Sequence, residues 1–432
     1  MSRHAILAGA TALASSVFLL VPGATAEAKP KGVAPDHVTF QSWSFRDDTV
    51  GGSYEGTADS GPALTLATPT QQRTYTDPFA ANPAPQVYDE GDWTSPDVAT
   101  AYGLTQLVSS WNARTPGGSW IEVDMQGVTP DGSTSSWYVM GRWADDDTAF
   151  HPTSLAGQSD GLGHVSVDTF MAASGTTFTS YRLRVELMRP QGSSVTPSVG
   201  SVGAMASAVP DLSKQPTSPT SVTSPVTLDV PTYSQELHRG EFPEFDNGGE
   251  AWCSPTSTSM VVAYWGHGPS DAQTQYVRDR YPDVVDPQVD FAARHVFDYS
   301  YDGAGNWPFN AAYAATYGLD GFVTRLRNLT EAEQFIKAGI PLVVSLSFKK
   351  NELDGAGYGT GGHLMVIVGF TANGDVVVND PASHLIPSDD QVRVTYDRTQ
   401  FEHAWLTSSQ GIVYVIHPSD VPLPPAPAEA NW

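Results

Sequence analysis

A single cysteine, Cys253, constrains the fold of this 432-residue chain more than any other feature. With one thiol no intramolecular disulfide can form, so apolar cores must stabilise each folded part. Cys253 lies shortly after Gly248-Gly249 and directly before Ser254-Pro255, and a proline is well suited to the first turn of a helix. Apolar residues then recur at helical spacing as far as Gly266, which predicts a buried helix that starts beside Cys253.

The predicted position of Cys253 suits a nucleophile. The partial positive charge of a helix N-terminus stabilises a thiolate over a thiol. The alternative is a small buried core cysteine, which the Gly-Gly approach and the helix start make the weaker interpretation. A thiolate nucleophile also needs a base, and the base needs a group that orients it.

A candidate base and a candidate orienting group lie downstream on a predicted hairpin. His363 opens an apolar strand directly after a Gly-Gly pair. Asn373-Gly374 is a strong signal for a two-residue turn. Asp380 closes the second strand ahead of Pro381. If this hairpin forms, the imidazole of His363 and the carboxylate of Asp380 belong to neighbouring strands.

The predicted turn at 373–374 also fixes a pairing register. It sets Asp380 opposite Ile367, on the same sheet face as His363, whereas Asn379 faces the other way. In that register His363 and Asp380 lie four residues apart along the strand, roughly 13 Å at the usual rise. Contact between them requires a longer turn or a bulge that slides the register, and a one-residue bulge would reverse the assignment of faces.

These residues stand in three motifs, which are Trp252-Cys-Ser-Pro-Thr-Ser, Gly362-His-Leu-Met-Val-Ile-Val-Gly-Phe and Val378-Asn-Asp-Pro. As a set they resemble the C39-like branch of papain-fold cysteine peptidases, over residues 226–417. The resemblance implies an α+β papain-like peptidase domain. It also implies Cys253 as nucleophile, His363 as general base and acid, and Asp380 as the third member of a triad.

The same resemblance implies a glutamine upstream of the cysteine as an oxyanion-hole donor. Gln235, in Pro231-Thr-Tyr-Ser-Gln, matches that motif, although the stretch between it and Cys253 is longer than usual in the family. Asn247 is a nearer amide and is the alternative donor. The Gly-rich stretch 354–362, which abuts His363, is typical of a mobile lid.

The resemblance implies a secreted cysteine peptidase that cleaves peptide or protein substrates through an acyl-enzyme intermediate. Two other functions would use the same residues, namely a Cys/His amidase acting on cell-wall peptides and a catalytically silent binding protein. The chemistry requires no cofactor. The other histidines lack the paired spacing of metal ligands, so no metal is predicted; they include His238, His267, His295, His384, His403 and His417.

Charge and the N-terminal segment bear on partners and localisation. The chain has 47 acidic against 22 basic residues, a net charge of −25, which argues against nucleic acid or an anionic membrane as partner. The apolar run from Ala5 to Val21, followed by Ala24-Thr-Ala26, predicts a signal peptide over 1–26 and a flexible lead over 27–36. We therefore expect an extracellular protein with no membrane contact after signal cleavage.

The region from 37 to 190 predicts an all-β domain. Short alternating strands separated by turns rich in Gly and Pro favour a β-sandwich of jelly-roll-like type. Its tryptophans are more typical of a core than of a sugar-binding surface, which leaves contact with glycan or the cell surface as the alternative; they are Trp43, Trp93, Trp111, Trp120, Trp137 and Trp143.

Two stretches of low complexity predict the remaining boundaries. Residues 191–225 contain a run rich in Ser, Thr and Pro, which predicts a linker between the two folded domains. Residues 418–432 are rich in Pro and Ala, which predicts a disordered tail.

Overall fold

The computed structural model describes residues 36–46 and 50–432. The predicted signal peptide over 1–26 and nearly all of the predicted lead over 27–36 lie outside the described residues. Within them the chain forms three sheets of seven strands each and six α-helices. No helix among these residues has both the length and the apolar character needed to cross a membrane.

The first two sheets contain the strands between residues 37 and 208. These strands are β1 His37–Ser44, β2 Ser53–Glu55, β3 Thr57–Asp59, β4 Leu64–Leu66, β5 Gln71–Thr76, β6 Pro85–Thr94, β7 Val98–Leu104, β8 Gln106–Arg114, β9 Trp120–Val128, β10 Tyr138–Trp143, β11 Gly163–Ser166, β12 Thr169–Ala172, β13 Phe178–Pro190 and β14 Ser198–Ala208. The first sheet has the order β11-β12-β8-β14-β4-β3, with β1 beside β14. The second has the order β10-β9-β13-β6-β2, with β5 beside β6 and β7 beside β13.

These two sheets share one buried apolar cluster. Alternate side chains along a strand point to one face, and those of β8 and β14 meet those of β9 and β13 inside this cluster. Four of the six tryptophans of the region are buried in the structure, as the core interpretation requires; they are Trp93, Trp111, Trp120 and Trp143. Trp43 and Trp137 are half-buried.

The predicted boundary at residue 190 is wrong. Strand β14 lies inside the predicted linker, yet it pairs with β8 and β1 in the middle of the first sheet. It consists mostly of Ser, Gly and Ala, whose small side chains fit a strand with neighbours on both sides but give a weak sequence signal. The remaining run at 211–225 has little regular structure, but hydrogen bonds of Ser218 to Glu402 and of Ser221 to Glu333 fasten it to the second half of the chain.

The predicted disorder of residues 418–432 is also contradicted by the structure. Asn431 is buried and its Nδ2 donates to the Arg325 carbonyl at 2.7 Å. The Phe40 N–H donates to the Ala430 carbonyl at 2.9 Å, so the tail extends along β1. The Trp432 ring packs against Phe335 with centroids 5.0 Å apart. Composition predicted disorder because it does not reveal these distant partners.

The third sheet and all six helices belong to the second half of the chain. The strands are β15 Val226–Thr227, β16 Asp320–Arg325, β17 Leu342–Phe348, β18 Thr360–Phe370, β19 Val376–Asn379, β20 Arg393–Tyr396 and β21 Ile412–His417. The helices are α1 Cys253–Tyr264, α2 Gln275–Arg280, α3 Pro287–His295, α4 Trp307–Ala315, α5 Leu329–Lys337 and α6 Arg398–Ser409. The sheet order is β16-β21-β17-β18-β19-β20, with β15 beside β18.

Helices cover both faces of this third sheet. Met260 and Val261 of α1 pack with Val366 on one face, whereas Phe335 of α5 and Trp405 of α6 belong to the apolar cluster of the other face. The first sheet packs on the face of the third sheet that α1 covers, because residues of β8 and β14 belong to the same apolar cluster as residues of β16 and α1. The two halves therefore pack as one unit over residues 35–432.

The packing of the tail leads to a stability prediction. Trp432→Ala removes a large side chain from the cluster around Phe335, and removal of a core tryptophan costs about 3 kcal/mol or more in free energy of unfolding. Chemical denaturation followed by circular dichroism measures this loss. The exposed Ala428→Ser is the control, with an expected change of less than about 0.5 kcal/mol. Equal stability of both variants would mean that the tail does not contribute to the core.

Candidate active site

Cys253 is the first residue of α1 and is half-exposed, while the residues after it from Ser254 to Val262 are buried. A short 3₁₀ turn, Gly249–Ala251, leads into the helix. Gly249 is required there, because a Cβ on it would collide with the Gln235 carbonyl and with His238. No described side chain caps the N-terminus of α1, so Cys253 and its backbone N–H lie at an uncapped helix start.

His363 and Asp380 are in direct contact. Nε2 of His363 lies 2.8 Å from Oδ1 of Asp380, and both side chains are buried. His363 stands in β18 opposite Leu346, and Asp380 directly follows β19. The two side chains are therefore in contact, although the register predicted from the sequence set them four residues apart along the strand.

The predicted register of this hairpin is wrong in a way that explains the contact. The loop between β18 and β19 has five residues, since Phe370 pairs with Val376 and Thr371 N donates to Asp375 O at 2.9 Å. A bulge between Ile367 and Gly369 then shifts the pairing by one more residue. Two shifts of one residue carry Asp380 two residues closer to His363 and leave it on the same face.

Two tyrosines that the sequence did not single out hold the Asp380 carboxylate. The Tyr358 hydroxyl lies 2.9 Å from each of its oxygens, and the Tyr396 hydroxyl donates to Oδ2 at 2.8 Å. The Ala382 N–H donates to Oδ1 at 3.0 Å. Tyr358 comes from the loop before β18 and Tyr396 ends β20, so no local pattern connects either of them with Asp380.

The electrostatics of this cluster favour a charged pair. Burial disfavours the imidazolium, but the Asp380 carboxylate and, to a lesser degree, the Cys253 side chain raise the pKa of His363 to about 10. Burial by itself would raise the pKa of Asp380, yet the charge and hydrogen bond of His363 and the two tyrosine hydroxyls hold that pKa below its ordinary value. A positively charged ring beside the Asp380 carboxylate is therefore the stable state at neutral pH.

The three residues lie together beside one cleft. His363 uses Nε2 for Asp380, and its ring interacts electrostatically with Cys253, which lines the same cleft. Since an imidazole has two ring nitrogens, the nitrogen that faces the thiol is Nδ1. Such an arrangement of thiol, imidazole and carboxylate can transfer a proton from the thiol to the ring and keep the ring oriented.

Asn379 has a different set of contacts. Its Nδ2 donates to the Pro231 carbonyl at 2.9 Å, and its Oδ1 accepts from Nε of Arg393 at 3.0 Å. Its side chain is fully buried. These bonds tie β19 to the segment just before Gln235 and to β20, and none of them reaches His363.

Of the two amides predicted as oxyanion donors, only Gln235 lies in the cleft. Gln235 is buried, its Nε2 donates to the Glu250 carbonyl at 2.8 Å, and it lines the same cavity as Cys253. The alternative, Asn247, is wrong. It lies in a turn with φ of 62°, is exposed, and is not among the residues that line the cleft.

The cleft has a volume of about 580 Å³ and is open to solvent. Cys253 and His363 line it together with Tyr301, Trp307 and the Gly359–Gly362 segment. Three carboxylates also contribute to its wall, from Glu236, Asp246 and Glu250. The predicted lid over 354–362 is anchored at Tyr358 by Asp380, and Gly361 and Gly362 form an exposed stretch directly before His363.

One cluster near the site has donor groups of the kind that bind divalent metals. Nδ1 of His238 lies 2.9 Å from Glu241 and 3.0 Å from Asp290. These two carboxylates overcome the effect of burial and raise the pKa of His238 to about 9. The hydrogen bond of Nδ1 goes to Glu241, while Nε2 of His238 and both oxygens of Asp290 have no hydrogen-bond partner among the described residues. The sequence did not anticipate this cluster, because Asp290 belongs to α3.

Comparisons with known proteins find a related domain in each half of the chain. Residues 39–207 match the model of the peptidase C39 N-terminal domain, and residues 227–413 match the model of the peptidase C39-like family. The chain thus carries a C39-like family domain preceded by a β-rich C39 N-terminal domain, which confirms the resemblance seen in the motifs. A search of curated proteins found no match.

Two solved structures show what the chain is similar to. One is described as a C39-like peptidase from Bacillus anthracis, with 18% identity, 44% of this chain and 97% of that chain covered, and a TM-score of 0.28. The other is infectious bursal disease virus, Gx strain, with 11% identity, 44% of this chain and 36% of that chain covered, and a TM-score of 0.18. At these TM-scores the likenesses carry no weight for the assignment.

The different surroundings of Asp380 and Asn379 give a prediction. Asp380→Asn keeps the shape but removes the charge that stabilises the imidazolium, so turnover should fall on the order of tenfold or more. Asn379→Ala breaks two buried hydrogen bonds, so it should mainly lower the melting temperature.

Steady-state kinetics and thermal melts of both variants test this difference. An inactive but fully stable Asn379→Ala beside an active Asp380→Asn would assign the orienting role to Asn379. Tyr396→Phe provides a graded control, because it removes one of the hydroxyls on the Asp380 carboxylate and leaves the carboxylate itself in place.

Proposed function

We propose that this protein is a secreted cysteine peptidase of papain-like fold, which hydrolyses peptide bonds through Cys253, His363 and Asp380. The observation that carries the proposal is a half-exposed thiol and a buried imidazole that line one open cleft, with the imidazole hydrogen-bonded to a buried carboxylate. A C39-like family domain contains all three residues. We propose that the β-rich N-terminal region has a β-sandwich fold and packs beside the C39-like domain.

The first step is attack of the Cys253 sulfur on the substrate carbonyl. His363 has taken the thiol proton, so the sulfur attacks as a thiolate and a tetrahedral intermediate forms. The N–H of Cys253 and Nε2 of Gln235 stabilise the negative oxygen. Gln235 uses one Nε2 hydrogen for the Glu250 carbonyl, which orients the amide and leaves its second hydrogen for the substrate.

Collapse of this intermediate breaks the peptide bond. His363 donates its proton to the leaving amine, and the acyl group remains on the sulfur as a thioester. A water molecule then attacks the thioester while His363 accepts its proton; the C–S bond breaks, the acyl group leaves as the carboxylic acid product, and Cys253 is restored as a thiolate beside the imidazolium. Asp380 keeps the ring in one orientation through both steps, because Tyr358 and Tyr396 fix the carboxylate itself.

Secretion is proposed from the sequence of residues 1–26. A net charge of −25 and the presence of a single thiol are compatible with an extracellular enzyme. A cleaved signal segment is tested by N-terminal sequencing of the protein recovered from culture medium. Recovery of the intact N-terminus from the cell pellet alone would contradict the proposal.

Removal of the thiol tests the catalytic proposal. Cys253→Ala should abolish hydrolysis of casein and of a mixed peptide library, with a loss on the order of 10³-fold or more in kcat, since no other group can form the thioester. Mass spectrometry after brief mixing of wild type with a peptide ester should detect the acylated Cys253. Ser259→Ala, a change further along the same helix, is the control for folding. Equal hydrolysis by wild type and Cys253→Ala would refute a cysteine peptidase.

The raised pKa of His363 predicts the alkaline limit of activity. The imidazolium, and the stability that its contacts contribute, are fully present below the ordinary value of 6.5 and are lost as the pH rises through about 10. The rate constant kcat/KM should therefore remain high at neutral pH and fall as the pH approaches 10. In Asp380→Asn the alkaline fall should move to lower pH, whereas Asn379→Ala should leave it unchanged. A pH–rate profile with the same alkaline limb in all three proteins would contradict this assignment.

A further inference from the structure

A second cavity of about 360 Å³ adjoins the cleft of Cys253. Five residues line both spaces, which makes them neighbouring parts of one surface depression; they are Tyr301, Gly305, Trp307, Ser408 and Ser409. The outer wall of the second cavity comes from the N-terminal region, through residues 166–169 and Met171 of the β11–β12 hairpin. The C39 N-terminal domain thus lengthens the cleft that holds the candidate nucleophile.

Arg325 lines this second cavity and is unusual in its surroundings. Its side chain is buried, with 3% of its surface exposed. Its guanidinium donates only to neutral oxygens, namely the Ser409 carbonyl at 2.6 Å and the side chains of Gln410 at 2.8 Å and Gln106 at 2.6 Å. Its Nε has no hydrogen-bond partner, and no carboxylate among the described residues forms an ion pair with it. Burial lowers the pKa of Arg325 to about 9, because a buried cation without a hydrogen-bonded anion is costly.

The nearest carboxylate of the cavity is already used. Asp168, between β11 and β12, accepts from the Trp307 N–H at 2.8 Å and from the Thr169 hydroxyl at 3.0 Å. It therefore docks the hairpin on the first turn of α4 instead of pairing with Arg325. Burial raises the pKa of Asp168 to about 6, so the carboxylate is still mostly ionised at neutral pH and attracts Arg325, although no hydrogen bond joins the two side chains.

The first cavity carries three carboxylates, whereas the second combines the guanidinium of Arg325 with the single carboxylate of Asp168. Glu236, Asp246 and Glu250 line the first cavity, and Arg325 is the only arginine or lysine among the described residues that line either cavity. On a chain with a net charge of −25, this guanidinium is the group that attracts a carboxylate into the cleft. Arginine is also the side chain that binds carboxylates through paired, charge-assisted hydrogen bonds.

We propose that the second cavity is a specificity subsite in which Arg325 binds a carboxylate of the peptide substrate. The carboxylate belongs either to an Asp or Glu side chain or to the C-terminus of the peptide. This inference rests on the proposed peptidase function, and it adds a substrate class to it: peptides with a negative charge at a fixed distance from the scissile bond. It also gives the β11–β12 hairpin of the N-terminal domain a role as one wall of the substrate site.

Matched substrate pairs test the subsite on the wild-type protein. Peptides that differ only by Glu or Gln at each successive position around the scissile bond separate side-chain carboxylates. Peptides that end in a free acid or an amide separate the C-terminal carboxylate. We expect one position, or the C-terminus, at which the acid raises kcat/KM on the order of tenfold or more. An active enzyme with an acid-to-amide ratio near one throughout would overturn the subsite.

Variants then locate the preference. Arg325→Gln should bring the ratio of acid to amide close to one, whereas Arg327→Gln, in the same segment but outside both cavities, should keep it. Ser166→Glu places a new carboxylate on the exposed hairpin wall and should also lower the ratio, without removing a buried side chain. This second variant keeps the test valid if Arg325→Gln fails to fold. An unchanged ratio in folded Arg325→Gln, or in Ser166→Glu, counts against the proposal.

A binding measurement separates failure of the subsite from failure of the proposed function. Cys253→Ala is titrated with the same acid and amide peptides by isothermal calorimetry. Tighter binding of the acid peptides, lost in Cys253→Ala/Arg325→Gln, supports the subsite even if no peptide is cleaved by wild type. Cleavage by wild type together with equal binding of acid and amide peptides supports the peptidase and overturns the subsite.

Discussion

The buried carboxylate of Asp380 is the group on which the arrangement of the site depends. A charge without solvent contact is stable only when hydrogen bonds and an opposite charge surround it. Here those partners come from separate pieces of the chain, with His363 from β18, Tyr358 from the preceding loop and Tyr396 from β20. Satisfying one carboxylate therefore fixes the positions of three strands and of the loop that borders the cleft.

The second constraint is the packing of the N-terminal region on the C39-like domain. Residues of β8 and β14 share an apolar cluster with α1 and β16, and the Asn112 side chain accepts the Gly321 N–H at 3.1 Å. The tail adds to this junction, because Glu429 accepts both the Val38 N–H and a hydrogen bond from Arg327. The β11–β12 hairpin is thereby held at the edge of the cleft, where it completes the cavity around Arg325.

The predictions of a linker from residue 191 and of a disordered tail were wrong because composition reports only local tendencies. Strand β14 is built of Ser, Gly and Ala, and it forms a strand because β1 and β8 lie on either side of it. The Pro- and Ala-rich tail looks disordered, yet Asn431 finds buried acceptors and donors and Trp432 finds Phe335. In each case the stabilising partner is more than 80 residues away in the sequence.

The sequence by itself determined the chemical groups of the site and their local placement. A lone cysteine before Ser-Pro, a histidine after Gly-Gly and an aspartate before a proline follow from short motifs, as does the family. Only the tertiary structure decided the contact between His363 and Asp380, because it depends on a five-residue loop and a bulge that parity could not foresee. It also decided which amide enters the cleft, which tyrosines hold Asp380, and that Arg325 is buried without an ion pair. These features arise from hydrogen bonding and burial between distant segments, which no local pattern of residues records.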